Sequence, residues 1–179
     1  NLVMWERGVD TELFKPAVVK EASPARPLWT YMGRVSVEKN LEAFLRLDLP
    51  GTKQVIGGGP QLAEFRQRYP KVQFLGYRFG SELAATVAEG DCFVFPSLTD
   101  TFGLVMLEAM ACGLPVAAYP VTGPIDVVEQ GVTGVLNEDL RVAALSAIEL
   151  DPQRCRAHAL TRTWASATDQ FFSNLAVAT

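Results

Sequence analysis

Residues 97–115, SLTDTFGLVMLEAMACGLP, decide the reading of this chain. From Gly103 to Cys112 the stretch has helix length and apolar residues on every side, with Glu108 as its single charge. A helix that is apolar all round is a buried one. A carboxylate in such surroundings is costly unless donors meet it. A second carboxylate, Asp100, stands just before the helix, and Thr101, Phe102 and Gly103 lead into it. The first amides of a helix lack intrahelical acceptors, and the dipole makes that end attractive to an anion. Gly103 has no side chain to obstruct a close approach to the backbone. Glu108 falls four residues after Leu104, on the face of the first turn. A group anchored at the helix start can therefore run along that face to the carboxylate, whose two oxygens suit two vicinal hydroxyls, as on a ribose. Simple capping by Asp100 or Thr101, and a Glu108 that sits at a solvent edge or pairs with Arg34 in the core, are the other readings of these residues.

Outward from this helix, strands and helices alternate. DCFVFPS (91–97) before it and LPVAAY (114–119) after it read as strands, the first apolar enough for burial on both faces. Further strands are expected at 28–33, 52–56 and 72–77, with a short last one at 133–137. Helices are expected at 37–47, 60–69, 81–90 (Ser81 as N-cap) and 124–130, and from 139 to 178 with breaks near Asp151–Pro152 and Trp164. This is the pattern of βαβ units: an α/β, Rossmann-like parallel sheet with helices on both faces and right-handed crossovers. Ligands of such folds bind beyond the carboxyl ends of the strands. That directs attention to loops 33–39, 57–60, 76–81, 96–103 and 119–125.

In the loop GRVSVEK (33–39), Arg34 follows the first strand and Lys39 falls in the first turn of the expected helix, where a cation opposes the dipole. Together they suit a diphosphate without a metal, although either alone reads as a solvated surface cation. GGGP (57–60) and FLGY (74–77) are weaker signals. A tight strand-to-helix turn accounts for the first as well as a ligand does, and the second offers backbone groups to a planar base.

Composition sets the limits. The chain has 179 residues, 49% hydrophobic and 20% charged, with a formal net charge of −4, which favours neither nucleic acid nor an anionic membrane surface. Three scattered cysteines and one histidine argue against a disulfide framework, a zinc site or a Ser-His-Asp triad, and for a reduced, cytoplasmic setting. No run has the length of a membrane span. The opening NLVMWERGVDTELFKP (1–16) reads as the continuation of a preceding segment.

These motifs in this order resemble the C-terminal, donor-binding half of a GT-B retaining glycosyltransferase of family 4 (glycosyl transferases group 1). The likeness runs from GVDTELFKP (8–16) through GRVSVEKNLEAFL (33–45), VIGGGP (55–60) and FLGY (74–77). It is strongest in 91–118 and continues in TGPIDVVEQGVTGVL (122–136). The resemblance implies a UDP-, GDP- or ADP-sugar donor, no metal or other cofactor, and hexosyl transfer to a lipid, glycan or small-molecule acceptor. Arg34 and Lys39 would hold the diphosphate, while Gly103, Leu104 and Val105 offer amides to phosphate and sugar. Glu108 would take the ribose hydroxyls. Asp100 stands where the family usually has a longer Glu against the donor sugar. Gly33, Gly58, Gly76, Tyr77, Thr101 and Phe102 complete the donor-binding set.

It further implies three segments: a linker remnant (1–27), the Rossmann-like domain (28–162) and a C-terminal helix (163–179) that crosses to an N-terminal acceptor domain. Phe171, Phe172 and Leu175 would then either form an apolar patch for that domain or for a dimer, or pack on the chain's own sheet. The half alone would bind donor weakly and transfer nothing. Any membrane association of the parent protein would not run through this half. The competing readings are a non-catalytic domain that keeps the fold and a nucleotide-sugar epimerase-like enzyme.

Overall fold

Strand Cys92–Phe95 shows why the sheet is parallel and covered. All four residues are buried, with Phe93 and Phe95 in one apolar layer and Cys92 and Val94 in the other. A strand with no wet face needs helices on both sides, which βαβ crossovers supply. The computed structural model describes residues 7–18, 26–100 and 102–175. Its strands are β1 (Leu28–Met32), β2 (Thr52–Ile56), β3 (Gln73–Gly76), β4 (Cys92–Phe95), β5 (Val116–Ala118) and β6 (Gly134–Leu136). They form one sheet in the order β3-β2-β1-β4-β5-β6, every pair parallel. The helices are α1 (Leu41–Leu45), α2 (Leu62–Arg68), α3 (Gly80–Ala88), α4 (Leu104–Ala111), α5 (Pro124–Val127), α6 (Leu140–Ala147), α7 (Pro152–Thr161) and α8 (Trp164–Ser173). Helices α3, α4 and α7 bury side chains in the Phe93 layer, and α1, α2 and α6 in the Cys92 layer. The expected Rossmann-like sheet is the architecture observed.

Three local expectations change. The helix expected at 37–47 is a 3-10 turn, Val37–Lys39, and a separate α1, divided by Asn40 in the left-handed region (φ 49°). Asn tolerates that conformation, and its Nδ2 donates to the Pro96 carbonyl at 3.0 Å. Helix α3 begins at Gly80 with Phe79 as N-cap, so Ser81 lies inside the first turn instead of capping it. Helix α5 ends at Val127 because Val128 is extended. The breaks near Pro152 and Trp164 occur where expected, capped by Asp151 on the Gln153 amide and by Thr163 on the Ser166 amide.

Residues 7–18 pack onto the same core. Val9 donates to the Arg162 carbonyl at 2.9 Å. The Arg156 guanidinium donates to the carbonyls of Thr11, Phe14 and Ala111, joining this segment to α4 and α7. Helix α8 is different: Ala167 is buried, while Trp164, Phe171 and Phe172 are exposed.

At the carboxyl ends of β1 to β3 the backbone is laced together. Gly33 donates to the Ile56 carbonyl at 3.0 Å, Val35 to Gly58 at 2.9 Å and Gly57 to Gly76 at 2.8 Å. The glycines at 57 and 59 permit this approach, since a Cβ on Gly57 would lie 2.1 Å from the Gly33 carbonyl oxygen and one on Gly59 2.3 Å from that of Val35. Gly57→Ala is therefore expected to lower stability by roughly 3 kcal/mol in urea denaturation. Gly131→Ala, also at positive φ but facing open space, is expected to cost only about 1 kcal/mol.

Candidate functional site

The strand order reverses between β1 and β4, whose pairing covers only Trp29↔Cys92 and Thr30↔Phe93. Beyond those pairs the two strands diverge, leaving a cavity of about 210 Å³ at their carboxyl ends. Tyr31, Met32 and Gly33 line it from the β1 side, Phe95 and Ser97 from the β4 side, and Lys39, Asp100, Gly103, Leu104 and Val105 complete it.

Loop 33–39 is fixed from below by Tyr31, whose hydroxyl donates to the Arg34 carbonyl at 2.8 Å. Burial, with the nearby charges of Glu38 and Asp100, pushes the Tyr31 phenol well above its ordinary value, so it remains a neutral donor. The 3-10 turn then brings Lys39 Nζ to 2.6 Å from Asp100 Oδ2, in a partly buried ion pair. Lys39 closes a 3-10 turn just before the N-cap of α1, instead of falling inside the first turn of a longer helix. Asp100 Oδ1 also accepts from the Phe102 amide at 3.3 Å. Its far side rests against Gly123, where a Cβ would lie 3.4 Å from that of Asp100.

Gly103 is the N-cap of α4, in the left-handed region at φ 76°, with no side-chain cap. The Leu104 and Val105 amides belong to the first turn, which has no intrahelical acceptors. Met106, Leu107, Met110 and Ala111 bury the rest of α4. Glu108 is half-buried on this helix. Burial pushes its carboxyl up to about 7, well above the usual carboxylate range. The expected alternative of an Arg34 partner does not hold. Arg34 is 66% exposed and lies 3.9 Å from Glu38 Oε1, away from the cavity lining.

The structure thus brings together Gly33, Lys39, Asp100, Gly103, Leu104 and Val105, with Glu108 one helical turn further on. Gly58, Gly76 and Tyr77 stand at the adjoining ends of β2 and β3, and Phe102 packs against the core. Thr101 lies outside the described residues. Sequence reasoning missed Tyr31, Ser97 and Gly123. Gly123 sits in a loop already marked by its place after a strand, but its contact with Asp100 has no local signal. A larger cavity, about 750 Å³, lies at the opposite end near Pro27, Asp91 and Pro152. Its charged groups have structural tasks: Arg26 pairs with Asp91, and Arg156 holds backbone carbonyls. It stands away from the strand reversal and from the residues described above. Among the described residues, no helix is long and apolar enough to cross a membrane.

The fold is a Rossmann-like parallel sheet with a candidate site at its strand reversal, and comparison with known proteins gives its family. The chain belongs to the family described as Glycosyl transferases group 1, which matches residues 26–149. It is 38% identical over 153 residues to the sulfoquinovosyl transferase SQD2 of Arabidopsis thaliana, covering 76% of this chain and 30% of that protein. It is 31% identical over 187 residues to a GDP-mannose-dependent alpha-mannosyltransferase of Mycolicibacterium smegmatis, covering 95% and 50%. The sucrose-phosphate synthase of Thermosynechococcus elongatus superposes with a TM-score of 0.74 at 27% identity, over 93% of this chain and 50% of that one. HepE of Anabaena, solved with UDP, shares the fold with a TM-score of 0.71 at 22% identity, over 93% and 55%. The chain spans 30% to 50% of the length of the two curated relatives named.

Glu108 gives this site a pH signature. Its folded pKa stands above the unfolded value, so the folded state binds the extra proton between about 4.5 and 7. Its contribution therefore favours folding at low pH and is lost as pH rises through about 7. Glu108→Gln is expected to match the wild type near pH 4.5 and to exceed it by on the order of 2 kcal/mol at pH 8, read from denaturation midpoints.

Proposed function

We propose that this chain is the nucleotide-sugar-binding half of a retaining, metal-independent glycosyltransferase that moves a hexosyl group to a lipid, glycan or small-molecule acceptor. Glu108 carries the reading: a half-buried carboxylate raised to about 7, on a helix that offers it no other polar neighbour. It stands about 6 Å along the helix axis from Leu104, a span suited to a ribose hanging from a diphosphate at the first turn. Two vicinal hydroxyls would donate to its oxygens and compensate the burial.

In this reading the Leu104 and Val105 amides and Lys39 meet the diphosphate, and Arg34 reaches it from the rim. Asp100 meets the donor sugar. The sugar's anomeric C–O bond breaks and its electron pair leaves with the diphosphate, whose growing charge the amides and Lys39 stabilise. The acceptor oxygen bonds on the vacated face, and its proton passes to the departing phosphate oxygen. The acceptor belongs to a second domain, reached by the exposed face of α8 from residue 163 onward, with 1–27 leading in from it. The relatives' greater length supports that division. This half by itself binds donor and transfers nothing, and the parent enzyme works in the cytoplasm.

Thermal melts test the proposal. At about a hundred times its dissociation constant, the matching nucleoside diphosphate among UDP, GDP and ADP is expected to raise Tm by roughly 5–10 °C. EDTA leaves the rise unchanged, and Glu108→Ala or Lys39→Ala removes most of it. No shift with any of the three, in the chain and in its full-length parent, would favour a domain that keeps the fold without the ligand.

A further inference from the structure

We propose that the cavity at the amino ends of β1 and β4 binds a medium-chain aliphatic carboxylate, anchored by Arg156. It lies at the far end of the sheet from the candidate donor site and is independent of the reading above. At about 750 Å³ it falls within the range of small-molecule sites, roughly 300–1,000 Å³. Four parts of the chain enclose it: Pro16 from the first segment, Pro27 before β1, Ile148 at the end of α6, and Pro152, Arg156 and Leu160 from α7.

The walls are already held in place. The Arg156 guanidinium donates to the carbonyls of Phe14 at 2.7 Å, Ala111 at 2.9 Å and Thr11 at 3.0 Å. At the start of β1, Arg26 pairs with Asp91, whose Oδ2 accepts from the Leu28 amide at 2.8 Å. A cavity fixed before its ligand arrives avoids an ordering cost on binding.

These bonds do not exhaust Arg156. A guanidinium has five N–H donors. At least two of them, Nε included, meet no acceptor among the described residues. That Nε is not buried, and the side chain lines the cavity. The three carbonyls are neutral, and no carboxylate among the described residues pairs with Arg156. The other charged residues of the lining, Arg26 and Asp91, offset each other. The cavity therefore carries one positive charge without a counter-ion.

A single carboxylate balances that charge and offers two coplanar oxygens to a planar donor group. A phosphate dianion would exceed it. The lining sets the rest of the ligand. Its apolar side chains are aliphatic and include no aromatic ring, so a flexible hydrocarbon chain fits and a planar body finds nothing to stack on. Leu160 is 48% exposed, which leaves apolar surface for such a chain to cover.

Calorimetric titration of the chain with octanoate, 1-octanol and acetate tests this. Octanoate is expected to bind about 10-fold or more tighter than 1-octanol, and acetate to show no binding. Arg156→Gln is expected to lower octanoate to the affinity of 1-octanol and to leave 1-octanol unchanged. Because Arg156 also holds backbone carbonyls, two substitutions that keep those bonds give a second test. Ala157→Phe fills the cavity and Leu160→Glu sets a like charge in it. Each is expected to weaken octanoate by about 10-fold or more with an unchanged melt. 1-Octanol bound as tightly as octanoate overturns the role of Arg156. No octanoate binding to the folded wild type, or binding unchanged in the folded Ala157→Phe and Leu160→Glu variants, overturns the site.

Discussion

Strands β1 and β4 pair over two residues and then part, and the rest of the candidate site depends on that separation. On its other side, β1 pairs with β2 over five residues and holds a straight ladder to Met32. Crossovers leave β1 and β4 in opposite directions, so no connection covers the gap between their carboxyl ends. Everything that lines the cavity comes from the last residues of these two strands or the loops that follow them. The backbone groups freed there are met locally, by Tyr31 on the Arg34 carbonyl and by Asn40 on the Pro96 carbonyl. The second of these bonds ties the loop after β1 to the loop after β4.

Helix α4 adds the second constraint. Its N-terminus must open on the gap while its body fills the space between the sheet and α7, so it is apolar on nearly all sides. Any charge on it carries a desolvation cost, and Glu108 shows that cost as a carboxyl raised to about 7. A structural role would be served better by an uncharged residue of similar size. The same helix thus provides amides at one end and a destabilised acceptor one turn later.

Much of this was legible in the sequence because it rests on local pattern. The alternation of apolar runs and helical segments set the sheet, and the lone Glu108 in an apolar helix marked the site. The glycines of 57–59 were visible as a tight turn or a ligand loop, but not as the approach to the Gly33 and Val35 carbonyls, some twenty residues away. What escaped depends on pairings distant in the chain. Lys39 and Asp100 are 61 residues apart, and neither announces the other. The expected helix over 37–47 failed at Asn40, whose side chain donates to the Pro96 backbone carbonyl on another loop. Arg34 faces solvent because its carbonyl is turned inward to Tyr31, a bond that periodicity cannot show.

The Lys39–Asp100 pair also bears on the charge of the site. Asp100 is held by the Phe102 amide and by contact with Gly123, so its carboxylate is fixed relative to the start of α4. Lys39, on a flexible stem, comes to it. A carboxylate beside a helix N-terminus would by itself compete with any other anion for the dipole. Paired with Lys39 it is neutralised, and the attraction of the α4 amides is left available. Under the proposed reading, an arriving diphosphate gives Lys39 a second acceptor without forcing it to abandon the first, because an ammonium has three donors. The short side chain of Asp100 keeps that carboxylate close to the backbone, and Lys39 with it. A longer acid would carry the cation farther from the helix start. On this geometry Asp100 is the residue that holds the Lys39 cation beside the start of α4.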